Sequence, residues 1–187
     1  MKSLFIKLFI LLFLLGGLQA NEQYSVDAKH STVYYKSLAD ILFFIDNSIL
    51  GVNQKIQGQI NVVDNKLING KIIIDIKGFD TDNSYRDSDV MSILGYETEQ
   101  HIIFTINKTE TTQGQLYLVG ELEVNSVAKE IKMPVVKTYI DNSITYSGKL
   151  DVKYSDFGMT PPTLAGFIKK AKESLEIGAT ITFVKDN

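Results

Sequence analysis

The chain has 187 residues, 22 acidic against 19 basic side chains, and neither cysteine nor tryptophan. That length suggests one domain with a substantial core. The missing cysteines exclude disulfides, thiolate nucleophiles and thiolate-bound zinc, and the net charge of −3 argues against a nucleic-acid partner.

Residues 1–20 read as a secretory signal peptide. Lys2 and Lys7 give a basic start, an unbroken apolar run spans 8–15, and small residues lead to Ala20. Cleavage near Ala20 leaves a mature domain of 21–187 with no stable membrane span, in the periplasm or outside the cell. The apolar run is short for a bilayer anchor. Removing Lys2 and Lys7 leaves 17 basic against 22 acidic residues, a charge of −5.

A first short strand is expected at Tyr24-Ser25-Val26, a turn at 27–31 and a strand over 32–36. The segment 37–51 is ambiguous: Leu38, Ile41, Leu42 and Ile45 have helical spacing, whereas Phe43-Phe44 before Asp46-Asn47 reads as strand and turn. From Lys55 the period is two. Ile56, Gly58, Ile60 and Val62 share one face; then Ile72, Ile74 and Ile76; then Ile102, Phe104 and Ile106. The pattern continues through Leu116 to Val124, Val127 to Val135, Ile144 to Tyr154 and Leu175 to Phe183, with polar turns at Asp64-Asn65, Gln113-Gly114, Asn125-Ser126 and Asp141-Asn142. One face is apolar throughout. The other carries charge, including Lys77, Glu121, Lys132, Lys149 and Asp151, which does not suit a lipid-facing exterior. Such a meander closes most economically on itself, because closure removes exposed strand edges. A two-sheet sandwich would show the same alternation. Gly58, Gly120 and Gly148, on the inward face, suit tight coiling or close backbone approach.

The stretch from Phe79 to Phe104 interrupts the strands. Asp82 or Asn83 can cap a helix running to Leu94, with Gly95 as its stop. Val90, Met91 and Leu94 form its apolar side. Arg86, the only arginine, has Asp82, Asp87 and Asp89 close by in sequence. A structural ion-pair knot is the economical reading; contact with a ligand head group at the rim is the alternative. A second helix is expected after Pro161-Pro162, where Leu164, Phe167, Ile168 and Ala171 fall at helical spacing. Asp156-Phe157-Gly158 matches the kinase magnesium triplet in letters only, since the rest of that signature is absent.

Several motifs in order resemble one family: Asp27-x-x-His30-Ser31-x-Val33, Thr81-x-Asn83-x-x-Arg86-Asp87, Ile103-Phe104, Gly120-x-Leu122-x-Val124-Asn125, Lys129-x-Ile131-x-x-Pro134-Val135 and Asp156-Phe157-Gly158. Together they resemble the YceI-like family of secreted, lipocalin-like lipid-binding proteins, over nearly the whole mature chain. Departures are Asn125-Ser126 where Asn-Gly is usual, a longer apolar segment at 37–51, and the lack of tryptophan.

The resemblance implies an all-β fold, an antiparallel up-and-down eight-stranded barrel with one or two short helices covering its mouth. It also implies binding of a long-chain lipid (a polyisoprenoid, isoprenoid quinone or fatty amide) without catalysis, cofactor or metal. A homodimer is left open. Ile60, Ile74, Phe104, Leu122, Met133, Leu150 and Ile177 are expected to grip the tail. Met91, Leu94, Tyr96, Phe157, Leu164 and Phe167 are expected to close over it, with Asn83, Arg86 and Asp87 at the head group or rim. Two other readings are a lipid hydrolase or isomerase using His101 or Asp87, and a solidly packed stress-response or adhesion module.

Overall fold

The computed structural model describes residues 21–39, 47–164 and 169–186; the expected signal peptide, residues 40–46 of the ambiguous segment and Phe167 lie outside them. Alternating, β-branched-rich runs become strands β1 (Glu22–Val26), β2 (Thr32–Ala39), β3 (Asn47–Asn53), β4 (Ile56–Val63), β5 (Lys66–Asp75), β6 (His101–Thr112), β7 (Gln115–Val124), β8 (Val127–Ile140), β9 (Ser143–Lys153), β10 (Thr163–Leu164) and β11 (Lys169–Lys185). Three hairpins turn through two residues with positive φ: Asp64-Asn65, Gln113-Gly114 and Asn125-Ser126. That conformation matches the right-handed twist of the strands it joins.

All pairings are antiparallel. β4 to β9 pair successively, β9 pairs with β11, and β11 pairs with both β1 and β2. β1 and β2 form one long stave broken by a 3-10 turn at Ala28–His30, which Asp27 caps through the Lys29 amide. β3 and β4 form the next stave, β3 against β2 and β4 against β1. The result is a closed eight-stranded barrel in simple up-and-down order. Its seam joins the first stave to the last, Tyr24 opposite Lys185 and Val26 opposite Phe183.

The inward alternation is clear in β4 and β9 and through 72–76 and 102–106, and is interrupted where the register shifts at Asn61/Val62 and Ile106/Lys108. A Cβ on Gly58, Gly120 or Gly148 would lie within 2.3 Å of a neighbouring strand's carbonyl oxygen, so these glycines serve close strand approach. The half of the barrel nearer the 64–65 and 141–142 turns is filled: Tyr24, Ile60, Val62, Leu67 and Ile144 are each 2% exposed or less.

One α-helix is present among the described residues, α1 (Ser84–Ile93). Asn83 caps it, its Oδ1 accepting from the Tyr85 and Arg86 amides. Gly95, at φ +74°, ends it: the Tyr96 amide reaches the Met91 carbonyl and the Gly95 amide reaches that of Ser92, the paired closure of a Schellman motif. The second expected helix is corrected. Thr163 and Leu164 are strand, paired with Lys170 and Lys169, and Ala171 is already inside β11. Leu164 and Ala171 therefore belong to two paired strands, and their helical spacing in the sequence is coincidental.

Candidate functional site

The end of the barrel opposite the packed half holds a cavity of about 190 Å³. Its walls come from inward positions of the staves: Ile72 and Ile74 from β5, Phe104 from β6, Leu118 and Leu122 from β7, Met133 from β8 and Ile177 from β11. Val90 and Ile93 of α1, with its C-cap Leu94, close it on one side. Phe157 and Met159, in and after the 3-10 turn Tyr154–Phe157, close it on another. The Asn125-Ser126 turn joins these covers: a Cβ on Gly95 would sit 2.0 Å from Asn125 Oδ1, and Asn125 Nδ2 donates to the Phe157 carbonyl at 3.4 Å. Asp89 lines the cavity and is also exposed, which puts an opening beside α1.

Of the residues expected to meet a lipid tail, Ile74, Phe104, Leu122, Met133, Ile177, Leu94 and Phe157 line this cavity. Four do not. Ile60 is wholly buried in the packed half, and Leu150 is half-buried outside the lining. Met91 supplies the carbonyl that closes α1, and Tyr96 turns to Lys77, whose Nζ sits 4.8 Å from the ring centre. Leu164 lies in β10 and its side chain is not described; Phe167 falls outside the described residues.

The rim residues divide in the same way. Asn83 is an exposed cap. Asp87 accepts from the Thr81 amide at 2.9 Å and the Thr81 hydroxyl at 2.7 Å through one oxygen, Oδ1, so it fixes the loop entering α1. Arg86 lines the cavity. The expected ion-pair knot is not formed: among the described residues no carboxylate lies in ion-pair range of Arg86, and its Nη2 donates to the Thr81 carbonyl at 2.8 Å. His101 is outside the lining, with Nδ1 3.6 Å from Glu99. Among the described residues no cluster of three metal-ligating side chains occurs.

Sequence reasoning overlooked Tyr35 as a site residue. It lies on the inward face of β2 between Val33 and Ser37, all three on the cavity wall, and that alternation could have revealed it. Its ring meets Phe79 edge-on at 5.5 Å, and it lies over Gly51, where a Cβ would be 2.2 Å from the ring. The Tyr35 hydroxyl and Arg86 Nε are both buried without a hydrogen-bond partner among the described residues. Each such orphan costs about 1–3 kcal/mol. Burial, with Tyr154 and Asp87 adding to it and Arg86 opposing, pushes the Tyr35 phenol well above its ordinary range. Nearby, Tyr154 donates to the Ser37 hydroxyl at 3.1 Å. The site is thus an apolar chamber with a few polar groups gathered where β2 meets α1.

Solved structures share this architecture. BcnA of Burkholderia cenocepacia aligns with TM-score 0.70 at 18% identity, over 84% of this chain and 98% of that one. A polyisoprenoid binding domain from Saccharophagus degradans aligns with TM-score 0.66 at 12% identity, over 87% and 98%. The YCEI protein of Campylobacter jejuni gives 0.65 at 16%, over 79% and 91%. No curated protein matches the sequence. The profile of the YceI-like domain matches residues 24–183, from the first stave through the seam strand, so the chain belongs to the YceI-like domain family.

Proposed function

We propose that this protein binds one long-chain apolar lipid, an isoprenoid, isoprenoid quinone or fatty amide, in the barrel and carries it without chemical change. The carrying observation is the half-hollow interior: one end is tightly filled, while the other keeps an apolar chamber under α1. A barrel meant only for stability would fill that space, because each void forfeits packing contacts. Affinity would come mainly from burial of the tail, at roughly 25 cal/mol per Å² of apolar area, so discrimination between similar tails would be weak. The polyisoprenoid binding domain from Saccharophagus degradans, of the same fold, supports this ligand class.

The basic, apolar and small-residue order of 1–20 supports export and a periplasmic or secreted site of action. No helix among the described residues is long and apolar enough to cross a membrane. N-terminal sequencing of the protein from its native cells would place the mature start near Asn21.

The decisive experiment is mass spectrometry of an organic extract of protein purified from its native compartment. One lipid per chain is expected. A lipid-free protein that also takes up no added isoprenoid or fatty amide would overturn the reading.

A further inference from the structure

We propose that Tyr35 and Arg86 form a paired head-group anchor, and that it takes an uncharged carbonyl oxygen (amide, ester or quinone) rather than a phosphate. The inference rests on the lipid-carrier reading and adds which end of the ligand is recognised and by what chemistry.

Among the described residues, two buried side-chain polar atoms lack a hydrogen-bond partner, and both belong to residues on the wall of this cavity: Tyr35 Oη and Arg86 Nε. Both are donors, and the phenol also accepts. They approach from different elements, β2 and α1, and Tyr35 feels the charges of Arg86 and Asp87. Both side chains are held by contacts that leave these atoms free. The Arg86 guanidinium is tethered at Nη2 to the Thr81 carbonyl, and that loop is tied by Asp87. The Tyr35 ring is fixed between Phe79 and the bare backbone of Gly51. Two positioned donors in an apolar chamber select a ligand oxygen able to accept from both.

The surrounding charge decides which oxygen. Asp87 and Asp89 flank Arg86 on α1, and Asp89 itself lines the cavity. Asp80 and Asp82 lie just before the helix. Four carboxylates beside the single Arg86 guanidinium make this side of the cavity unfavourable for a phosphate and leave a neutral carbonyl unaffected.

The test uses the full mature protein stripped of endogenous lipid, and three probes with the same tail: octadecane, octadecanamide and octadecyl phosphate. Displacement of a bound apolar fluorophore reports affinity. Wild type is expected to bind the amide about tenfold more tightly than either other probe. Tyr35→Phe and Arg86→Lys should each shrink the ratio of amide to hydrocarbon affinity, both probes being measured on the same variant. Because the Tyr35 hydroxyl has no hydrogen-bond partner among the described residues, Tyr35→Phe should not lower the Tm of the lipid-free protein, whereas loss of a hydroxyl with a structural role would. The anchor is overturned if octadecane binds but the amide gains nothing, if the phosphate binds tightest, or if Tyr35→Phe keeps full amide affinity. If none of the probes binds, the carrier reading fails and takes the anchor with it.

Discussion

Ile60 and Leu94 show how differently one barrel uses apolar side chains. Ile60 is wholly buried between filled staves, so Ile60→Ala opens a new void and should cost about 3 kcal/mol or more. Leu94 already borders a cavity and is half-buried. Leu94→Ala should cost about 1 kcal/mol, with its larger effect on lipid affinity. Urea midpoints of both variants, beside lipid titration, check the contrast. The sequence could not separate the two, since each is an apolar residue on the inward side of its element, and only the depth along the barrel axis tells them apart. Ser126 is a different kind of residue-level signal. It sits at φ +60° in a turn where glycine is unstrained. Ser126→Gly is expected to raise stability by about 0.5–1 kcal/mol, read as a higher urea midpoint at unchanged slope.

At the scale of elements, the staves were legible because strand period leaves a direct trace: Ile72, Ile74 and Ile76 could only share a face. The helix was legible in its ends and less so in its face. Asn83 and Gly95 act as cap and stop; the side packed against the core is Val90, Met91, Ile93 and Leu94, the expected Val90, Met91 and Leu94 with Ile93 added, and only Met91 of these stays off the cavity wall. Three of four successive positions from Val90 are apolar or adaptable, and sequence gives no axis against which to choose. Arg86 was misjudged for a related reason: its acidic sequence neighbours suggested ion pairs, whereas its partner is the Thr81 carbonyl, which carries no mark in the sequence. The helix depends on its stop. Gly95→Ala would place a Cβ 2.0 Å from Asn125 Oδ1, at a positive φ, and should cost about 1–2 kcal/mol. Hydrogen exchange should quicken in α1 well before it quickens in β6 or β7. Uniform acceleration through the barrel would instead show that the cover and the staves open as one unit.

For the whole molecule, the buried phenols set an alkaline limit. Burial raises the phenols of Tyr35, Tyr146 and Tyr154, Tyr146 to about 12. An unfolded phenol ionises near pH 10. Below that pH both states are protonated and the stability contribution is fully present. Above it the unfolded chain sheds protons that the folded chain retains, so stability falls as pH rises. Urea midpoints should therefore decline from about pH 10 upward. Tyr146→Phe should make that decline shallower; an unchanged slope would remove this phenol from the explanation.

The seam between β1 and β11 sets when folding can finish. Glu22 and Lys185, which pair across it, are 163 positions apart. Until the final strand arrives the chain is an open sheet with two unpaired edges, and loop closure must precede the contacts that reward it. A chain of this kind can close its barrel only after its last stave is in place. A version ending before Lys169 should show no cooperative unfolding transition by circular dichroism. A sharp transition in that fragment would mean that the staves from β4 to β9 hold without being closed.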